Sequence, residues 1–80
     1  MFVRRRGAAM KFYDVSEFGK MIRQKRKALG YTQKDISEIG GFSVSFISDL
    51  ERGKPTIELG KAISLANLLA MDFSLQNRGE

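Results

Sequence analysis

The side chains with contact chemistry to offer are concentrated between Gln33 and Lys54. Val44, Ser45, Ser48, Asp49 and Arg52 follow one another at i, i+1, i+4, i+5 and i+8, so a helix over this stretch carries all five on one face. Small or polar groups in that arrangement suit close approach to base edges in a major groove. A serine hydroxyl donates or accepts there, and Val44 offers methyl surface to a thymine or else packs locally. Asp49 either accepts from a cytosine amino group or orients Arg52. Ser43 has two uses, capping the helix or contacting phosphate or base, and capping is the favoured one. Gln33 and Lys34 open the preceding helix, where free N–H groups and the positive end of the dipole favour a phosphate. Arg52 and Lys54 are the phosphate candidates nearest the reading helix, whereas Lys20, Arg23, Lys25 and Lys27 scatter around their own helix and read as a solvated face.

Other chemistry is poorly supplied. The chain has no Cys and no His, which removes disulfides, thiolate nucleophiles, imidazole bases and the usual zinc sites. No paired-carboxylate or phosphate-loop arrangement compensates, so no enzyme, cofactor or metal is expected. Fourteen Lys and Arg against nine Asp and Glu leave a net charge of +5, which favours a polyanionic partner without naming it. Apolar runs are far too short for a membrane span, and Met1–Ala9 has no apolar stretch of signal-peptide length, so a soluble, cytoplasmic protein is expected.

Eighty residues make one compact domain with a modest core, for which a second copy is a natural source of further buried surface. The periodicity predicts four helices. The first spans about 16–29, capped by Ser16 and ended by Gly30, with Phe18, Ile22, Arg26 and Leu29 on one face. The second spans about 33–39, capped by Thr32 with Asp35 completing a capping box, and turns Ile36 and Ile39 inward; Tyr31 reads as a staple before it. The third spans about 44–52, capped by Ser43, with Phe46, Ile47 and Leu50 inward. Thr56 is the expected cap of the fourth, whose stripe of Leu59, Ala62, Ile63, Ala66, Leu69 and Ala70 is widened by Leu65 and Leu68 beyond what one core requires. Met71, Phe73 and Leu75 then alternate with Asp72, Ser74 and Gln76, a half-buried strand pattern that finds its cheapest partner in the same segment of a second copy. Residues 1–14 read as a flexible basic arm, or as a loose start before Met10; 15–70 form the folded domain and 71–80 a dimerisation strand and tail.

Within Thr32–Gly53, small Ser37 at a close crossing, Gly41 at a turn and inward Ile36, Phe42, Ile47 and Leu50 together meet the steric rules of a helix-turn-helix. The runs Ile22-Arg23-Gln24-Lys25-Arg26-Lys27-Ala28-Leu29-Gly30-Tyr31-Thr32-Gln33 and Ile47-Ser48-Asp49-Leu50-Glu51-Arg52-Gly53-Lys54 resemble the Xre/Cro-type helix-turn-helix family over roughly residues 16–70. The strand-like tail, standing where a fifth helix is commoner, is similar to the HipB-like antitoxin branch. The resemblance implies an all-α, four-helix, lambda-repressor-like domain with a short C-terminal β-strand pairing across a homodimer. It also implies that the third helix enters the major groove of operator DNA. Gln33 then matches a phosphate and base-flank contact, and Ser43, Val44, Ser45, Ser48 and Asp49 match base-facing positions. Arg26 and Glu51 match a pair bridging the first and third helices, which their helical faces support independently; two solvated surface charges are the alternative. Members of the branch repress their own operon and bind a HipA-like serine/threonine kinase toxin. A stand-alone Xre-type regulator, or an interaction module that has lost DNA affinity, is the alternative. Leu65, Leu68, Met71, Phe73 and Leu75 form the expected dimer surface.

Overall fold

A computed structural model of the chain describes residues 12–72 and 77. It contains four helices: α1 (Val15–Ala28), α2 (Gln33–Gly40), α3 (Val44–Glu51) and α4 (Leu59–Leu68). The caps of α2 and α3 follow the local sequence. Thr32 Oγ1 accepts from the Asp35 amide at 3.0 Å while Asp35 Oδ2 accepts from the Thr32 amide at 2.9 Å, and Ser43 Oγ accepts from the Phe46 amide at 3.0 Å. α1 starts earlier than Ser16 implies. Asp14 is its cap, accepting from the Glu17 amide at 2.8 Å, and Glu17 reaches back to the Tyr13 amide at 3.0 Å. The acidic pair satisfies both amides, so Ser16 falls inside the first turn.

α4, conversely, starts later than a Thr56 cap implies. Pro55 and Thr56 form a turn, half-buried Ile57 packs against the core, and Glu58 stands at the N-cap without a side-chain bond. Seating Ile57 keeps the chain extended up to Glu58, so the helix begins at Leu59.

Helix ends share one device. After α1, α3 and α4 the amides of Tyr31, Lys54 and Met71 bond to the carbonyls of Arg26, Asp49 and Ala66, at 3.1, 3.0 and 2.9 Å, closing each helix through a left-handed residue. That residue is Gly30 (φ 84°) after α1 and Gly53 (φ 78°) after α3, but Ala70 (φ 62°) after α4. Ala70 therefore bears a Cβ in a conformation that L side chains adopt at a cost.

The core joins Phe18 and Ile22 of α1, Ile36 of α2, Ile47 and Leu50 of α3, Ala62, Leu65 and Ala66 of α4, and Leu69 beyond it. Several sequence expectations change, among them Leu29 and Ala70, which are exposed at the ends of α1 and α4. Ile39 is 56% exposed, because α2 leaves the core after Ile36. Leu59 is 63% exposed, lying on the rim of an open apolar groove with Phe12, Tyr13, Phe18 and Ile57. Leu65 is only 1% exposed: Ala62, Leu65, Ala66 and Leu69, at i, i+3, i+4 and i+7, centre the stripe on Leu65, which fills the protomer's own core and offers nothing to a second copy. Leu68, 41% exposed, is the surplus apolar residue at the C-terminal end of that helix, and Met71 packs half-buried against the core.

No strand occurs among the described residues; Phe73 and Leu75 lie outside them. Among the described residues no helix is long and apolar enough to cross a membrane.

Candidate nucleic-acid interface

Two glycines remove side chains from the contacts that place the third helix and the turn before it. A Cβ on Gly19 of α1 would overlap the Leu50 carbonyl oxygen, so α1 lies directly against the end of α3. A Cβ on Gly40 would press into the Phe42 ring at 2.5 Å and onto Leu68, so the ring occupies the space left at the α2–α3 turn. Phe42 in turn stacks on Phe46, ring centroids 5.9 Å apart.

Beneath the interface lies a buried ion pair. Arg26 donates from Nε to Glu51 Oε2 at 2.7 Å and from Nη2 to Glu51 Oε1 at 3.0 Å, and each residue is 7% exposed. Arg26 Nη1 also donates to the Tyr31 carbonyl at 2.8 Å, tying in the α1–α2 turn. Hydrogen bonding to Glu51 raises the Arg26 pKa above its already high ordinary value, against the opposing pull of burial. Glu51 thus favours the charged form of the guanidinium. Gln33 completes the set by donating from Nε2 to Glu51 Oε1 at 3.2 Å. One N–H of its side-chain amide is committed inward. The sequence placed Gln33 toward phosphate and the base flank; its tie to Glu51, eighteen positions away, has no local signal.

On the outer side, Ser43, Val44, Ser45 and Arg52 are exposed, and Ser48 and Asp49 are half-exposed. Ser43 caps α3 with its oxygen, which leaves its hydroxyl hydrogen free to donate. Of the two uses open to Asp49, orienting Arg52 is the one the structure contains: Asp49 Oδ1 accepts from Arg52 Nη2 at 2.7 Å, and Arg52 Nη1 donates to Ser48 Oγ at 3.1 Å. Asp49 Oδ2 also faces Lys54 Nζ at 3.4 Å. Lys34 is exposed on the first turn of α2. The arrangement is an exposed helix face of small and hydroxyl-bearing residues, ended by two cations and one carboxylate, with the N-terminus of α2 adjoining it. It can donate to phosphates and meet base edges, and among the described residues no cluster of carboxylates suited to holding a metal ion accompanies it.

Comparison with known proteins agrees with this architecture. In curated sequences the chain is similar to the uncharacterized HTH-type transcriptional regulator y4mF of Sinorhizobium fredii, 31% identical over 65 residues that cover 81% of this chain and 86% of that protein. Among solved structures it shares its fold with HipB in a HipB–O4 20mer complex (TM-score 0.78, 18% identity, 88% of this chain and 99% of that one). A chain of a HipA–HipB–O2–O3 complex matches equally (TM-score 0.79, 18% identity, 88% and 99%). The helix-turn-helix family HTH_3 matches residues 22–75, a span holding the ion pair, both helices of the motif and all of α4. The chain is therefore a member of the HTH_3 helix-turn-helix family.

Proposed function

We propose that this protein is a sequence-specific double-stranded DNA-binding transcriptional repressor that acts in the cytoplasm as a homodimer and carries out no catalysis. The observation that supports this best is the exposed strip of α3, Val44 to Arg52, standing beside the N-terminus of α2 and braced from below by Arg26 and Glu51. In this reading α3 lies in the major groove. Ser43, Val44, Ser45, Ser48 and Asp49 face bases, Gln33 meets phosphate and the base flank, and Lys34, Arg52 and Lys54 face the backbone. The dimer surface is Leu68, Met71, Phe73 and Leu75, the last two from the tail.

The partner reading is an antitoxin that binds a HipA-like serine/threonine kinase and represses the operon encoding both. Likeness to the HipB fold, seen in a HipA–HipB–O2–O3 complex, favours it over a stand-alone regulator. Duplex binding titrated against salt tests the DNA reading: displacement of phosphate counterions gives a log–log slope of magnitude ~4 to 8 for a dimer. A slope near zero leaves a protein-interaction module instead. Co-purification with a kinase encoded beside this chain, together with binding to their shared promoter, tests the antitoxin reading.

A further inference from the structure

We infer that Asp49 is a specificity-determining counter-charge that occupies the two interface cations and penalises DNA offering nothing but phosphates; this rests on the DNA-binding reading above. Asp49 is the only carboxylate on the exposed strip of α3, and both its oxygens are engaged, Oδ1 with Arg52 at 2.7 Å and Oδ2 with Lys54 at 3.4 Å. The carboxylate is itself well covered, at 22% exposure, while Arg52 and Lys54 are 71% and 55% exposed. Ser48 fixes the other arm of the Arg52 guanidinium at 3.1 Å. The cations best placed to meet phosphate are therefore already paired in the free protein.

Exposed pairs of this kind contribute little to folding, so a competing phosphate can displace them. The carboxylate remains after displacement. Any backbone phosphate drawn to Arg52 or Lys54 then stands close to a negative charge, and that repulsion is the same for every sequence. It is relieved only where the duplex brings a hydrogen-bond donor to Asp49, and in the major groove the base donors are the amino groups of cytosine and adenine. Discrimination between partners is a difference of affinities, and a built-in repulsion raises it by weakening the wrong complexes.

The test compares wild type with Asp49→Asn on two duplexes of equal length and composition, a site enriched by binding selection and its scrambled version. The amide keeps the shape and can still accept from Arg52, and thermal melts check that the fold is intact. Loss of the charge is expected to raise affinity for the scrambled duplex about three- to tenfold. Affinity for the selected site is expected to rise less or to fall, so the ratio between the two shrinks. If wild type binds neither duplex, the DNA reading fails and this inference with it. If wild type binds but Asp49→Asn leaves scrambled-duplex affinity unchanged or lower, or raises both affinities equally, the counter-charge role is overturned while DNA binding stands.

Discussion

Arg26 of α1 holds Glu51 of α3 through two near-parallel hydrogen bonds, at 2.7 and 3.0 Å, in a setting where each residue is 7% exposed. The geometry makes the pair a brace rather than a surface contact. Each charge needs the other, because an uncompensated carboxylate in that position cannot recover its hydration. Arg26→Ala should therefore lower stability by about 3 kcal/mol. Replacing both residues with leucine or methionine should restore part of the loss, since no buried charge is left behind. Urea denaturation of the single and double variants measures both numbers; a single variant as stable as wild type contradicts the brace.

The helix ends supply an independent prediction. Gly30 and Gly53 close α1 and α3 in the left-handed region, and Ala70 does the same for α4 at φ 62°. Its amide bonds to the Asn67 carbonyl at 2.9 Å and the next amide to Ala66 at 2.9 Å, so the motif is complete and only the Cβ is costly. Ala70→Gly should raise stability by about 0.5 to 1 kcal/mol, read as a higher melting temperature. A lowered melting temperature would mean that the methyl group packs usefully.

Much of this was legible in the sequence where the signal is local. Thr32 with Asp35, and Ser43 before Phe46, cap their helices within one turn, and Arg26 and Glu51 each share a face with neighbouring core residues. What the sequence misplaced depends on the far side of the fold. Periodicity admits Ile39, Leu59 and Leu65 equally to an apolar stripe. Only the position of the other helices decides that Leu65 is central while Ile39 and Leu59 face outward. The close approaches at Gly19 and Gly40 are likewise invisible locally, because a glycine inside a helical pattern carries no mark of the carbonyl or ring that will lie against it.

Division of labour along the interface can be separated by two substitutions. Ser45 is exposed on the strip of α3, with no hydrogen bond to another side chain of that strip, whereas Lys54 lies past its end beside Asp49. Ser45→Ala should alter preference among operator variants, by about 1 kcal/mol or more at one base position, with little change on unrelated duplexes. Lys54→Ala should weaken all duplexes alike and reduce the salt slope by about one per protomer. Uniform loss of affinity in both variants contradicts the assignment of Ser45 to bases.

The last prediction concerns the surface around Leu68. Its side chain is 41% exposed on the C-terminal half of α4, where Leu65 is taken fully into the protomer's core and Ile63 is half-buried. Met71 continues that surface, packed half-buried against the core and with its amide closing α4. Phe73 and Leu75 follow at the alternating spacing that gives a strand one apolar face. Antiparallel pairing of two such tails about a two-fold axis satisfies the backbone groups of both copies and brings their apolar faces onto Leu68. In the proposed reading operator binding depends on this indirectly, because two reading helices must be held about 34 Å apart to enter successive major grooves. Removing residues 73–80 leaves the α4 cap intact and should lower dimer affinity and operator affinity together, with helical circular dichroism of the four-helix domain retained. Leu68→Glu should do the same without shortening the chain, by placing a charge in the centre of the contact. Sedimentation across a concentration series reads the dimer directly: a truncated chain that associates as tightly as the full one would place the two-fold contact elsewhere on the domain.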